Sequence, residues 1–262
     1  MTKALTGVYR MRYRLSVAFG CALLLSACIG PQSRLSQQEI AATSADPHRE
    51  TTIALLGGTG MTGGHILKEA LAQGYRVRVL SRSPEKLGYL GNRVDVVTGD
   101  ARQYETIEKL LRSSDVVISA IGPPQNSGKG PQNLTTTVSG HVLSAMAEEN
   151  ISRYIAISGA GVVAPEDQRN FSGWLMRQLV RLRYPALLKD RQSEYDLLAA
   201  SDAYWTLVRS PLIESMPFEK DATASLRTPG SFRLRAGELA RFVIEQITSE
   251  QFLRQAPFLY SP

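Results

Sequence analysis

The chain has 262 residues, of which 43% are hydrophobic, 21% charged and 7% aromatic, an ordinary globular composition that excludes a disordered chain, a collagen-like repeat and a coiled coil. Its formal charge of +6 comes from 30 Lys and Arg against 24 Asp and Glu. Residues 1–27 hold Lys3, Arg10, Arg12 and Arg14 and no acid, so the rest carries 26 against 24 and has no compositional bias toward nucleic acid.

At the N-terminus, Arg12 and Arg14 precede an apolar run from Leu15 to Leu25. That run is too short to cross about 30 Å of hydrocarbon, which takes about 20 helical residues, and it has the three-part form of an export signal. Its end, Leu25-Ser26-Ala27-Cys28, resembles the lipobox of bacterial lipoproteins, in which the cysteine is acylated and begins the mature chain. Residues 1–27 are read as a lipoprotein signal peptide and Cys28 as the lipid attachment site, which implies export and anchoring on the periplasmic side of a bacterial membrane. A signal cut elsewhere, or a short anchor helix, is the alternative. Cys21 lies within the run, so Cys28 is the one cysteine left in the mature chain and no internal disulfide or cysteine metal site forms. Residues 28–51, rich in Ser, Gln, Ala and Thr with Pro31 and Pro47, read as a flexible tether spanning roughly 25–30 Å.

Thr52-Ile53-Ala54-Leu55-Leu56 is a short apolar run suited to a parallel strand buried on both faces. It runs into Gly57-Gly58-Thr59-Gly60-Met61-Thr62-Gly63-Gly64, then a helix with Ile66, Leu67, Ala70 and Leu71 on one face, then a strand Arg76–Ser81. Glycines at 57, 60 and 63 suit a tight turn, close approach of backbone to a pyrophosphate, and close helix–strand packing, with the helix N-terminus facing the phosphates. Because strand and helix flank the glycines, dinucleotide binding is expected over a merely structural turn. After the second strand comes Ser81-Arg82-Ser83-Pro84, with no acid before Glu85. An acid there would bind a ribose 2′-OH, whereas an Arg accommodates a 2′-phosphate, so NADP(H) is the expected cofactor; an exposed loop arginine is the plain alternative.

The alternation continues with strands at 94–97, 115–122, 153–157 and 204–209, and a long helix carries Leu134, Val138, Val142, Ala145 and Met146 on one face. The fold class is α/β: a Rossmann-like doubly wound parallel sheet over residues 52–262, with a small C-terminal part capping the substrate pocket. Ligand is expected at the carboxyl ends of the strands, at Gly57, Ser81, Asp100, Ala120, Ser158 and Ser210-Pro211.

The segments GGTGMTGG, VLSRSPEKL, VVTGDA, VVISAIG, YIAISGAG and YWTLVRSPLI, in this order, resemble the NAD(P)H-binding, NmrA-like atypical short-chain dehydrogenase/reductases, most of all their biliverdin reductase B (flavin reductase) branch. The likeness runs from about Thr52 to Tyr260. It implies that Gly57, Thr59, Gly60, Met61 and Thr62, with Gly63, hold the pyrophosphate and that Arg82 meets the 2′-phosphate. It further implies that Asp100 and Ala101 frame the adenine, that Ala120, Ile121 and Gly122 run along the cofactor, and that Ser158 lies near the nicotinamide. The chain departs from that pattern in its acid/base groups. No Tyr has Lys four residues later, the lysine that some members place on the helix before the sixth strand falls at Asp190, ahead of Glu194, and the segment Arg235–Glu238 has no histidine. His48, His65 and His141 are expected on surface or packing positions.

Gly122 to Gly130 is not a nucleotide phosphate loop, because its glycine spacing is wrong and Gly follows Lys129. Ser158 is not a hydrolase nucleophile, because Ala156 stands where that elbow needs Gly. In the helix from Phe171 to Arg183, Phe171, Trp174, Leu175, Leu179 and Leu182 form one stripe, with Arg177, Arg181 and Arg183 elsewhere. It is expected to line the pocket or cover the core, the alternative being a membrane-surface helix. Together these observations point to a membrane-tethered NADP(H)-dependent reductase acting on a small planar or carbonyl acceptor, of flavin or quinone type. A non-catalytic NAD(P)-binding sensor or assembly protein is the alternative. No metal-ligand spacing occurs. Mass spectrometry should find the mature chain starting at Cys28 with added acyl mass, and Cys28→Ser should release the protein from the membrane fraction.

Overall fold

The structure, a computed structural model, describes residues 50–122 and 133–262. The expected signal peptide, Cys28, most of the expected tether with His48, and residues 123–132 with Lys129 lie outside the described residues. The elements are β1 (Thr52–Leu56), α1 (Met61–Ala72), β2 (Arg76–Ser81), a 3-10 segment (Pro84–Arg93), β3 (Asp95–Thr98), α2 (Tyr104–Leu111), β4 (Val116–Ser119), α3 (Leu134–Glu149) and β5 (Arg153–Gly159). They continue with α4 (Phe171–Arg183), α5 (Pro185–Ala200), β6 (Tyr204–Ser210), β7 (Leu212–Glu214), β8 (Thr223–Ser225), β9 (Arg233–Arg235), α6 (Ala236–Glu245) and β10 (Phe258–Tyr260).

The main sheet has the order β3-β2-β1-β4-β5-β6-β10-β8, with every neighbouring pair parallel except β10 and β8. This is the doubly wound arrangement expected, with its switch point between β1 and β4. Both faces are covered. Ile53 and Leu55 of β1 pack in one cluster with Ile66 and Leu67 of α1 and Leu239 and Val243 of α6. Ala54 and Leu56, pointing the other way, pack with Ile107 and Leu110 of α2 and Val138 and Val142 of α3. A strand buried on both sides reads as continuous apolar sequence, which is why TIALL carries no alternation.

β4 is shorter than the run 115–122 suggests: the strand ends at Ser119, Ala120 N makes a last bond to Leu56 O at 2.9 Å, and Ile121 and Gly122 lie beyond it. The short strands β7 to β10 and the helix α2 go beyond the elements read from the sequence. β7 and β9 form a separate two-stranded ribbon, while β10 and β8 extend the main sheet. At three residues each they are too short to show a period of two.

One buried ion pair ties the loop after β5 to the end of β6. Arg209 has no exposed surface, and its guanidinium donates to Ala256 O at 2.7 Å, Val162 O at 2.8 Å and the Asp167 carboxylate at 2.5 Å. It also stacks over the Phe258 ring at 3.8 Å, and Arg169 meets the same carboxylate at 3.0 Å. Burial pushes the Asp167 carboxyl up, but the hydrogen bonds and charge of Arg209 outweigh it and leave the pKa below its ordinary 3.8. A depressed carboxylate pKa contributes stability that is present above 3.8 and lost as pH falls through the folded value. Asp167→Asn leaves Arg209 buried without its counter-charge and should cost about 3–5 kcal/mol in urea unfolding at neutral pH. The gap between wild type and variant should narrow as pH falls below 4, about where the free carboxyl titrates.

Candidate functional site

The site begins where β1 ends. Gly57 has φ +82°, in the left-handed region, and Gly60 N donates to Gly57 O at 2.9 Å, closing the turn into α1. An added Cβ on Gly63 would lie 2.0 Å from Gly57 O, and one on Gly57 would lie 2.8 Å from Ala120 O. Only hydrogen fits at either place, so the first turn of α1, the end of β1 and the end of β4 meet backbone to backbone.

The N-terminus of α1 is left available. Its N-cap, Gly60, has no side chain to cap it, and its first turn holds no acid. α3 shows the contrast. There the buried Asp190 of α5 accepts from Thr135 N at 2.9 Å and Thr136 N at 3.0 Å, so a carboxylate of the protein itself satisfies that helix end. Free N–H groups and the helix dipole at α1 fit a pyrophosphate.

At the carboxyl edge of the sheet lies a cleft of about 280 Å³, lined by Thr62, Ala120, Ile121 and Gly122, by Ile157 to Gly159 and Ser210 to Ile213 in part, and by Gly161, Val162, Val180, Leu187, Leu188 and Arg191. It touches the α1 turn at one end and the ends of β4, β5 and β6 along its floor. Ser158 Oγ, on a side chain 5% exposed, and Ser210 Oγ are buried in its wall without a hydrogen-bond partner. Two orphaned hydroxyls in an apolar cleft fit a polar ligand group entering beside them.

Arg191 is the one charged side chain among the described residues of that wall. It donates to Ile157 O and Ile121 O, both at 3.0 Å, and to Glu194 at 3.1 Å, which leaves further N–H groups for a ligand. Glu194 is buried, and burial pushes its carboxyl up while Arg191 and Ser139 hold it down. Tyr154 is also buried, hydrogen-bonded to Ser139 at 2.9 Å, and burial pushes its hydroxyl up; it does not reach the cleft. Neither His65 on α1 nor His141 on α3 lines it.

At the adenosine end the residues expected from the sequence meet in part. Ser81 is buried, and its Oγ accepts from Ser83 N at 3.0 Å, so the hydroxyl shapes the turn that presents the exposed Arg82. Asp100 pairs with Arg102 at 2.6 Å, and that hydrogen bond holds its carboxyl down to about 2, with Arg82 adding a smaller pull. The Asp100 carboxylate is thus engaged by arginine, and its two neighbours leave this corner positive. Ala101 is buried. Thr59, Gly60, Met61 and Thr62 form the turn and the first residues of α1, and Pro211 follows β6 in the cleft wall.

Two contributors lie outside the sequence reading, Arg191 and Arg102; Ser210 stands where a strand end was expected to meet ligand. For Arg191 a signal existed. Leu188, Arg191, Tyr195 and Leu198 recur at helical spacing, which puts the arginine on the inner stripe of α5.

The pattern of the family described as NAD(P)H-binding matches residues 57–250. The chain belongs to this NAD(P)H-binding family. Three solved structures are similar in fold. A protein described as exported, from Burkholderia pseudomallei, is 25% identical, with TM-score 0.62 over 80% of this chain and 99% of that one. ChuY, an anaerobillin reductase of Escherichia coli O157:H7, is 19% identical, with TM-score 0.66 over 81% and 98%. A wide-type short-chain dehydrogenase/reductase from Veillonella parvula, solved with NADP, is 16% identical, with TM-score 0.64 over 81% and 95%.

If the bare end of α1 holds the NAD(P)H pyrophosphate, an acid there acts with opposite sign on folding and on binding. Thr62→Glu should leave the melting temperature unchanged or slightly raised, since a first-turn acid favours the helix dipole. Titration calorimetry should find NADPH and NADH binding both weakened at least about tenfold.

Proposed function

We propose that this protein is a membrane-tethered, NADP(H)-dependent reductase of the atypical short-chain type, passing reducing equivalents to a small planar or carbonyl acceptor such as a flavin or quinone. One observation carries the reading: the cleft that continues from the bare α1 turn ends in two unpartnered hydroxyls and a single anchored guanidinium. NADPH, when bound, supplies a hydride. The chain supplies orientation and a mostly apolar enclosure.

In this reading Gly57, Gly60 and Gly63 admit the pyrophosphate, and the N–H groups at Met61 and Thr62 face it. Ala120, Ile121 and Gly122 flank the nicotinamide half, and Ser158 and Ser210 hydrogen-bond its carboxamide or the acceptor. Arg191, held by Glu194 and two carbonyls, faces the acceptor and stabilises negative charge that develops on its oxygen. The described wall holds no ionisable proton donor other than this arginine, so the proton comes from water. Preference for NADP(H) over NAD(H) is supported by the exposed Arg82 at the end of β2, by Arg102 beside it, and by the lack of an acid before Glu85. Export and the Cys28 anchor are supported by the lipobox-like LSAC segment and by similarity to the Burkholderia protein described as exported.

The test is NADPH oxidation with flavin, quinone and small carbonyl acceptors, alongside direct cofactor binding. Arg82→Ala should weaken NADP(H) about ten- to a hundredfold and NAD(H) little; equal losses would overturn the 2′-phosphate assignment. The double variant Arg191→Met, Glu194→Gln removes both members of the pair and should lower kcat about ten- to a hundredfold with NADPH affinity unchanged. Ser158→Ala should lower the rate by a similar or smaller factor, about 1.4–2.8 kcal/mol at most. Tight NADPH binding without turnover of any of these acceptors would sink the reductase reading and leave cofactor sensing in its place.

A further inference from the structure

Helix α4 carries six of the large hydrophobic side chains that are exposed among the described residues. None of its residues is buried, so it does not cover the core, although Val180 does reach the cleft wall. Phe171 is 75% exposed, Leu182 81%, Trp174 51% and Leu179 50%, with Leu175 and Met176 also exposed. Of these, Phe171, Trp174, Leu175, Leu179 and Leu182 share the face turned away from the body. The inward side is identified by its contacts: Gly173 packs against Thr228, Val180 against Gly161, and Arg177 Nε donates to Gly161 O. A water-facing helix surface is ordinarily polar; here the outward stripe is aromatic and aliphatic.

The charges name the occupant. From Phe171 to Lys189 the sequence holds Arg177, Arg181, Arg183 and Lys189 and no acid. On a helical projection Arg181 and Arg183 lie one on each flank of the apolar stripe, both exposed, where long cationic side chains can reach headgroup phosphates while the stripe sits deeper. A second copy of the same face would bring these arginines against each other without counter-charge. An anionic bilayer supplies it.

We propose that the outward face of α4 is a docking surface for an anionic lipid bilayer, with the helix lying in the headgroup layer. The proposal is independent of turnover. The Cys28 anchor of the preceding section would add proximity, and a single interfacial helix with one or two acyl chains makes a more durable attachment than either alone.

The two tryptophans make the test local, because Trp205 is 2% exposed in the core while Trp174 stands on α4. Full-length Cys28→Ser protein, which lacks the acylation site in every arm, is mixed with vesicles of phosphatidylglycerol and phosphatidylcholine, or of phosphatidylcholine alone, carrying brominated acyl chains. Phosphatidylglycerol vesicles should shift tryptophan emission to the blue, and their bromine atoms should quench it; insertion of the leader alone would leave Trp174 unquenched. Arg181→Gln with Arg183→Gln should weaken vesicle binding about thirtyfold. Leu182→Glu, at a position already in water, should abolish the quenching without changing the melting temperature. Absence of quenching, or equal quenching by phosphatidylcholine alone, would overturn the proposal. So would protection of Trp174 from acrylamide without lipid: if a dimer accompanies it, the face belongs to a second copy, and if the protein is monomeric, to its own leader.

Discussion

Three backbone segments cross at Gly57 with no room for a side chain, and the rest of the site depends on that crossing. A Cβ on Gly63 would stand 2.0 Å from Gly57 O, and Gly57 itself lies against Ala120. Close packing of this kind brings the first turn of α1 onto the switch point between β1 and β4, with the helix N–H groups aimed over the sheet edge. Ala120 to Gly122 line the cleft just past the last paired residue of β4, with Ala120 N still donating to Leu56 O at 2.9 Å.

Buried charge in this protein serves position. Asp190 caps α3, Glu194 holds Arg191 at the cleft, and Asp167 holds Arg209 beneath the loop that bears Gly161 and Val162. Each carboxylate also reaches a group far away in sequence, Asp190 at Thr135, Glu194 at Ser139 and Asp167 at Arg209, and so pins one helix or loop to another. Polar capacity remains where ligand would enter, at the α1 turn and the hydroxyls of Ser158 and Ser210. An apolar cleft with few unsatisfied groups binds through orientation.

Much of the fold was legible because its signals are local. The strand-turn-helix at 52–72 needs its glycines for reasons that neighbouring residues supply, and the parallel strands announce themselves as apolar runs of the right length. The NAD(P)H-binding assignment follows from the same segment. What was not legible depended on distance. Asp190 stands where some members of the resembled family have a lysine, ahead of Glu194, and their partners Thr135, Thr136 and Ser139 lie more than fifty residues away. Ser81 stands beside Arg82 in the sequence, and the bond from Ser83 N to its Oγ, which shapes the turn, shows only in the structure.

The sequence by itself determined the α/β class, the dinucleotide turn and the succession of central strands along the chain, because each rests on residue type and spacing within a few turns of chain. Only the tertiary structure decided which polar groups remain without partners and which apolar face remains uncovered. α4 shows why. Its sequence is equally compatible with packing on a core and with lying outside one, since an amphipathic stripe records that a face is apolar but not what lies against it. Here the inward side is taken by Gly173, Arg177 and Val180, and Phe171, Leu175 and Leu182 are left in water.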